Sequence, residues 1–508
     1  MRLSYFLAGV SVAGVSAMGL PAVAQTTPPA AQGPLAPATP VTSLREAMVQ
    51  AYATNPDILT ERANLRATDE NVPIARSEGL PSARSTAGYT ENTYNSNFNG
   101  VSPIRQVTAG LNLTAPVYSG GSVSNSIRAA DARVEAGQAN LRTAEANLFT
   151  NVVAAYMNVI RDEAIVRLNQ QNVSVLDVNL RAAKDRFEVG DLTRTDVAQS
   201  EARLAIARGQ LQGAQAQLIT SRESYIRVVG SPPGDLAPPP ALPGLPADAG
   251  GAVSVAMEEN PSLDAAGKAA KAAGYDVKVA RASRLPTLSV GTSSNYFNNL
   301  NSGGLQLGGG GVEPQNDGIA TSAGVTLSLP LFQGGAPAAR VRQAQARQSA
   351  ALETITSTER NVIANVRSAF ASYRSALEVI QSARIAVDAN RLSLEGVRAE
   401  NSVGTRTILD ILNAEQELLN SQVTYVTAER DAYVAGFALL ASMGRAEAAD
   451  LGLDGGPLYD PVAHYKDSRR RWGDWSDGPK PTAQGTRTID SPAQNPNVSG
   501  PVDPAERR

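Results

Sequence analysis

The chain of 508 residues carries one design written twice, and that duplication limits what it can fold into. Asn55-Pro56 recurs as Asn260-Pro261, Ala75-Arg76 as Ala280-Arg281 and Leu80-Pro81 as Leu285-Pro286, each at an offset of 205. The register then moves to 214, which aligns Leu113 to Gly121 with Leu327 to Gly335, Val189-Gly190 with Val403-Gly404, Asp196 with Asp410, Glu201 with Glu415, and Gly230 with Gly444. The nine added residues fall between Pro286 and Leu327, around the glycine-rich stretch Ser302 to Val312. Extra length is tolerated at an exposed loop tip, and Asn99 to Ile104 occupy the same place in the first copy.

Within each copy the hydrophobic period changes. Val107, Ala109, Leu111 and Leu113 alternate with Gln106, Thr108, Gly110 and Asn112, and Ile319, Ala323, Val325, Leu327 and Leu329 alternate with Ala320, Ser322, Gly324, Thr326 and Ser328. Period two predicts strands with one apolar face. Arg84 to Tyr94 and Thr287 to Phe297 are compatible partners, so each copy holds one hairpin. After Gly120-Gly121 the period becomes helical: Ile127, Ala130, Val134, Gly137, Leu141, Ala144 and Leu148 step by three and four, and after a stutter the pattern runs on to Phe187. One helix from about Ser122 to Glu188 follows, on the order of 100 Å long at 1.5 Å per residue. Val189-Gly190 and Val403-Gly404 stop such helices, and Thr193 to Asp196 and Thr407 to Asp410 read as capping boxes opening return helices to about Val229 and Met443. Shorter helices, Ser43 to Glu78 and Gly251 to Ala282, precede each strand pair.

The expected organisation is a signal peptide at 1–24, a flexible segment at 25–42, repeat 1 at 43–230, a proline-rich linker at 231–250, repeat 2 at 251–444, and a disordered tail at 445–508. The leader reading rests on Met1-Arg2, the apolar run from Leu3 to Leu20 and the small-x-small site Ala22-Val23-Ala24. The sequence has no cysteine, which rules out disulfides and a lipid on a lipobox cysteine. Beyond the leader no apolar run reaches the ~18 residues of a spanning helix, so any membrane insertion uses strands. Lys and Arg (45) nearly balance Asp and Glu (48) without a basic block, against nucleic-acid binding. The single histidine, His464, lies in the tail; no catalytic constellation, metal site or cofactor is expected, and Gly308 to Gly311 lacks the lysine of a phosphate loop.

Four strands do not close a barrel, and open edges are not tolerated in lipid. The barrel is therefore shared; two chains supply eight strands and three supply twelve, and this count does not choose between them. Tyr89 to Phe98 and Tyr296 to Asn299 place a thin set of aromatics at a membrane boundary.

The duplicated plan, the motifs Pro116-Val117-Tyr118-Ser119-Gly120-Gly121 and Pro330-Leu331-Phe332-Gln333-Gly334-Gly335, and the run Val403 to Ala414 resemble the TolC family of outer-membrane efflux proteins. The resemblance covers roughly Ser43 to Gly444. It implies a mixed α+β membrane protein: a homotrimer whose twelve-stranded β-barrel in the outer membrane continues into a periplasmic α-helical coiled-coil tunnel. It implies export with a periplasmic adaptor and an inner-membrane pump as partners, and no enzymatic step. The competing reading is a periplasmic coiled-coil scaffold or adaptor, which leaves the two alternating strand pairs unexplained.

By the same resemblance Asp410 projects into the narrow periplasmic end, where a threefold axis gathers three carboxylates that favour cations. Locally, Asp410 also suits a cap on Thr407 or an i,i+4 pair with Arg406. Asn413 stands where the family usually has a second acidic residue. Arg406 and Asp196 match positions that hold the entrance closed, or are solvated charges at a helix start, and Asn401 replaces an expected aromatic partner. Val189, Gly190, Val403 and Gly404 form the tips expected to dock the adaptor. Pro116, Gly120, Gly121, Pro330, Gly334 and Gly335 mark the strand-to-helix junctions.

Overall fold

The alternating segments pair into one four-stranded antiparallel sheet in the order β1-β2-β3-β4 in a computed structural model, which describes residues 41–92, 105–300, 316–453 and 458–498. The leader, both loop tips (Asn99 to Ile104 and Ser302 to Val312) and Phe98 lie outside the described residues. The strands are β1 (Ser82–Glu91), β2 (Arg105–Tyr118), β3 (Thr287–Asn298) and β4 (Asp317–Ser328). Register sorts the side chains. Tyr89 faces Val107, Ala87 faces Ala109, Ala109 faces Tyr296 and Tyr296 faces Ile319, while Leu113, Val290, Val325 and Leu327 share that face. The opposite face carries Gln106, Asn112, Asn295, Ser293, Ser322 and Thr326. One apolar and one polar face, with most side chains open on both, is the pattern of a wall between lipid and water rather than of a core sheet.

Helices flank the strands: α1 (Leu44–Thr54), α2 (Pro56–Asp69) and α3 (Asn71–Ser77) precede β1, α6 (Ala249–Glu259) and α7 (Pro261–Ala282) precede β3, and α4 (Ser122–Glu188) follows β2. The remaining long helices are α5 (Arg194–Val229), α8 (Ala336–Ser402) and α9 (Ile408–Met443). The helix expected from Ser122 to Glu188 is α4 itself, of 67 residues, and α8 repeats that length.

The two shorter expected helices are each interrupted. Proline disfavours a helical residue before it, so Asn55 and Asn260 take extended backbone and cap the next helix, Asn55 through Asp57 N at 2.8 Å and Asn260 through Ser262 N at 3.0 Å. Their side-chain amides reach across, Asn55 Nδ2 to the Val228 carbonyl and Asn260 Nδ2 to the Ser442 carbonyl, both at 2.8 Å. One Asn-Pro pair per copy thus ties the short helices to the last turn of the returning helix. The further break at Glu70 precedes Pro73, which has no N–H to continue the helix.

The main core gathers Leu44, Met48 and Tyr52 of α1, Phe149, Val152, Val153 and Tyr156 of α4, Tyr225 and Val229 of α5, and Leu236 of the linker. The linker is strapped to it, with Tyr156 donating to the Ala237 carbonyl at 2.6 Å and Gly234 N donating to the Val41 carbonyl at 3.0 Å. The copies differ in cover. In α4 the apolar stripe is buried along most of its length, whereas α8 buries only Val341, Val362, Val366, Ala383 and Leu394 and leaves Leu352, Leu377, Val379, Ile385 and Leu392 exposed.

The tail departs from its expected disorder over residues 445–453, where Ala446, Ala448 and Leu453 join the main core, and over residues 458–498. A short helix, α10 (Pro461–Ser468), docks on α2 and α4: His464 Nδ1 lies 2.9 Å from Asp69 Oδ2 and Tyr465 donates to Asp131 Oδ1 at 2.8 Å. The Arg62 guanidinium stacks over Tyr52 at 4.2 Å and Tyr459 at 4.9 Å. Farther on, Gln494 N donates to Glu223, and Arg222 donates to the Asn495 and Asn497 carbonyls. Single rings and backbone carbonyls hold this segment, so it carries no hydrophobic period to read.

Candidate functional site

The ends of the long helices are shaped by two glycines. Gly190 (φ 89) and Gly404 (φ 83) take the left-handed conformation that lets a helix stop, returning hydrogen bonds to the Phe187 and Asn401 carbonyls at 3.1 and 3.0 Å. Neither would find any atom within 4 Å of an added Cβ, and Val189 and Val403 beside them are each 74% exposed. The two tips are therefore open apolar knobs of equal shape.

Each tip is followed by a full capping box. Thr193 donates its N–H (2.9 Å) and hydroxyl (2.7 Å) to Asp196 Oδ2, while Asp196 N donates to Thr193 Oγ1 at 3.3 Å. Thr407 repeats this on Asp410 at 3.0 and 2.8 Å, with Asp410 N on Thr407 Oγ1 at 3.3 Å. The threonine hydroxyl and N–H hold both carboxyls below their ordinary range; Arg406 adds a small further lowering at Asp410. Both groups are half-exposed anions at helix N-termini, where the helix dipole also favours negative charge.

Arg406 turns away from Asp410 to Glu400, Nε to Oε2 at 2.7 Å, and Asn401 donates to the Arg406 carbonyl at 2.8 Å. Arg406 and Asp196 are each satisfied within their own hairpin. The link between hairpins falls to Asn413, whose Oδ1 accepts from Arg203 at 2.7 Å.

A second link, which sequence reasoning missed, sits just above. Glu415 is 6% exposed and accepts from Arg398 of α8 at 2.9 Å and from Asn179 of α4 at 3.1 Å to each carboxylate oxygen. Leu176, Leu180, Leu204, Ala207 and Leu412 pack beside it. The only signal was the match between Glu415 and Glu201, and Glu201 is exposed, so the repeat alone points away from a bolt.

At the other end, Gly120 (φ 62) and Gly121 (φ 80) turn the chain from β2 into α4, and Gly334 (φ 59) and Gly335 (φ 82) turn β4 into α8. A Cβ on Gly120 would lie 2.8 Å from Leu285 Cβ, so the first junction is packed, whereas Gly334 has open space. Pro116 sits at the register shift where β2 leaves β3, and Leu331 and Phe332 beside Pro330 are exposed.

A cleft of about 1220 Å³ between α4, α6, α7 and α8 is lined by paired charges, including Arg445 on Glu259 (2.7 and 3.0 Å) and Arg142 on Glu447 (2.7 Å). Among the described residues no group of His, Cys, Asp and Glu could hold a metal, and no helix is long and apolar enough to cross a membrane.

The sequence model for a family described as outer membrane efflux protein matches residues 47–231 and again 252–445, one match per copy. The chain is 34% identical over 434 residues to the outer membrane efflux protein BepC of Brucella suis, covering 85% of this chain and 91% of that one. It is 26% identical over 428 residues to the outer membrane protein TolC of Vibrio cholerae, covering 83% and 95%. The fold resembles that of the Campylobacter jejuni CmeC outer membrane channel, with a TM-score of 0.69 at 16% identity, over 84% of this chain and 89% of that one.

Proposed function

The chain belongs to the outer membrane efflux protein family, and from that premise we propose how its parts make a duct. It is an outer-membrane channel subunit of efflux and secretion, with a periplasmic helical extension, and the scaffold reading is set aside because the similar proteins are themselves channels.

In the proposed assembly three copies close a twelve-stranded barrel, β4 of one copy pairing with β1 of the next. The observation that carries this is the sheet itself: one apolar face and two unpaired edges, β1 and β4, a combination that lipid does not tolerate in one copy. The uncovered apolar stripe of α8 supports the same neighbour. Residues 43–230 and 251–444 are the two working copies, the linker 231–250 joins them, and 1–24 serves as the export leader.

We assign the tips Val189-Gly190 and Val403-Gly404 to docking of a periplasmic adaptor, which connects the duct to an inner-membrane pump. The capped carboxylates Asp410 ring the constriction and favour cations there, while Asn413, Arg406 and Asp196 keep the surrounding hairpins in place. The pump supplies the energy, so this subunit has no catalytic step and needs no cofactor.

Single-channel recording in planar bilayers tests the assignment. The wild type is expected to give steady openings with a cation preference that Asp410→Ala reduces. Openings indifferent to that change would remove the gate role and keep the channel; folded, oligomeric protein that never conducts would remove both.

A further inference from the structure

The chain contains two tryptophans, and both stand in the tail directly after three arginines: Arg469-Arg470-Arg471-Trp472-Gly473-Asp474-Trp475. Trp472 is 87% exposed and Trp475 98%. Two large amphipathic rings held open to solvent are a poor way to end a soluble surface and a common feature of a membrane interface.

Their position follows from the contacts of α10. The tail starts beside Tyr52, whose hydroxyl accepts from Tyr459 N at 3.3 Å. It then climbs along α4 toward the sheet: Tyr465 reaches Asp131, nine residues after α4 begins, and Arg76 donates to the Arg469 carbonyl at 3.0 Å. Only residues 77–81 separate Arg76 from the first residue of β1. Three residues of extended chain reach about 10 Å, so Trp472 lies within that distance of Arg469. Beyond Trp475 the chain turns back, meeting Gly230 through Thr486 and Glu223 through Gln494. The Arg-Trp stretch is the turning point of the tail, at the strand-to-helix junction, where Val117, Tyr118, Leu331 and Phe332 are also exposed.

We propose that residues 469–475 form an interfacial foot that rests on the phospholipid headgroups of the periplasmic leaflet, guanidinium groups on phosphates and indoles at the boundary with the acyl chains. It rests on the outer-membrane reading above. Charge favours lipid over an apolar protein partner. Arg470 has no side-chain partner in the described protein, Arg469 donates only to the Tyr465 hydroxyl at 3.1 Å, and Arg471 pairs with Asp467. Asp474 and Asp477 oppose them, yet from Lys466 to Arg471 cations outnumber the single anion four to one. Arginine and tryptophan together suit a surface that is anionic outside and apolar just beneath.

Because both tryptophans lie in the foot, indole emission reports on it alone. The full-length protein, reconstituted in bilayers of phosphatidylethanolamine and phosphatidylglycerol, is compared with the same bilayers carrying brominated acyl chains. Brominated lipid should cut the emission about twofold and acrylamide should quench it weakly; R469A/R470A/R471A should restore acrylamide access about twofold or more. Emission indifferent to brominated lipid overturns the foot, whether acrylamide reaches the indoles, as in free solvent, or fails to, as under a covering protein. Ile319→Trp on the apolar face of β4, made with Trp472→Phe and Trp475→Phe, separates the premises. Quenching of that probe alone retains the inserted barrel and discards the foot; quenching of neither discards membrane insertion and the foot with it.

Discussion

A guanidinium nitrogen of Arg203 donates to Asn413 Oδ1 at 2.7 Å, joining the return helix of the first copy to that of the second close to their starts. Removing either partner frees the other into solvent, which costs stability about 0.5–1 kcal/mol for an exposed charge-assisted bond. Asn413→Ala is expected to raise the open probability or conductance of single channels while lowering the melting of the helices only slightly, and Asn413→Asp, which keeps the acceptor, to leave open probability and conductance at wild-type values or lower.

Glu415 is the stronger tie because it is buried. Glu415→Ala strands Asn179 and deprives Arg398 of its partner, with an expected cost of about 1–3 kcal/mol. Glu415→Gln keeps an acceptor and should cost less. Thermal or denaturant unfolding followed by helical circular dichroism ranks the two; equal midpoints for Glu415→Ala and wild type would deny the bolt.

The Asp410 carboxyl sits below its ordinary range because Thr407 donates to it twice. A depressed folded value means that the cap contributes fully above the unfolded value of ~3.9 and is lost as pH falls through the lower folded value. Cation preference in recordings should therefore persist through pH ~4 and fade only under stronger acid. Thr407→Val, which removes the hydroxyl bond, should move the fading to higher pH.

The glycines that end α8 and α9 answer to different constraints. At Gly444 (φ 87) an added Cβ would meet the Glu259 carbonyl oxygen at 2.5 Å, whereas at Gly404 it meets nothing within 4 Å. Gly404→Ala is expected to cost about 1–2 kcal/mol of left-handed strain, and Gly444→Ala clearly more. Comparison of unfolding midpoints decides it.

Tail docking has its own signature. Tyr459→Ala removes one of the two rings around Arg62 and should lower stability by about 2 kcal/mol, combining the stacking with the lost packing. Limited proteolysis of that variant should release the tail first.

The sequence was most legible where one local signal decides an element. Paired glycines at 120 and 121 and Val189-Gly190 bracket α4 to its terminal residues, and alternation from Val107 to Leu113 identifies β2 and its apolar side. Illegible parts depend on tertiary partners. The Asn55-Pro56 and Asn260-Pro261 breaks were visible as repeats, but their meaning needs the Val228 and Ser442 carbonyls. Arg406 was legible as a charge near Asp410, yet Glu400, six residues earlier, captures it. Glu415 sits in a pattern shared with an exposed Glu201, and Tyr459 and His464 belong to a segment whose composition alone suggests disorder.

The unequal cover of the two long helices has a consequence for how the halves can change. Val153, fully buried at 0% exposure, corresponds at the 214 offset to Arg367, which faces outward. Two stretches of one ancestral plan thus obey different grammars: the first is spelled for an interior that a single chain completes, the second for a surface whose meaning depends on its neighbour. A segment transplanted from one half into the other would keep its helix and lose its context, so the duplicate halves are matched in shape without being interchangeable.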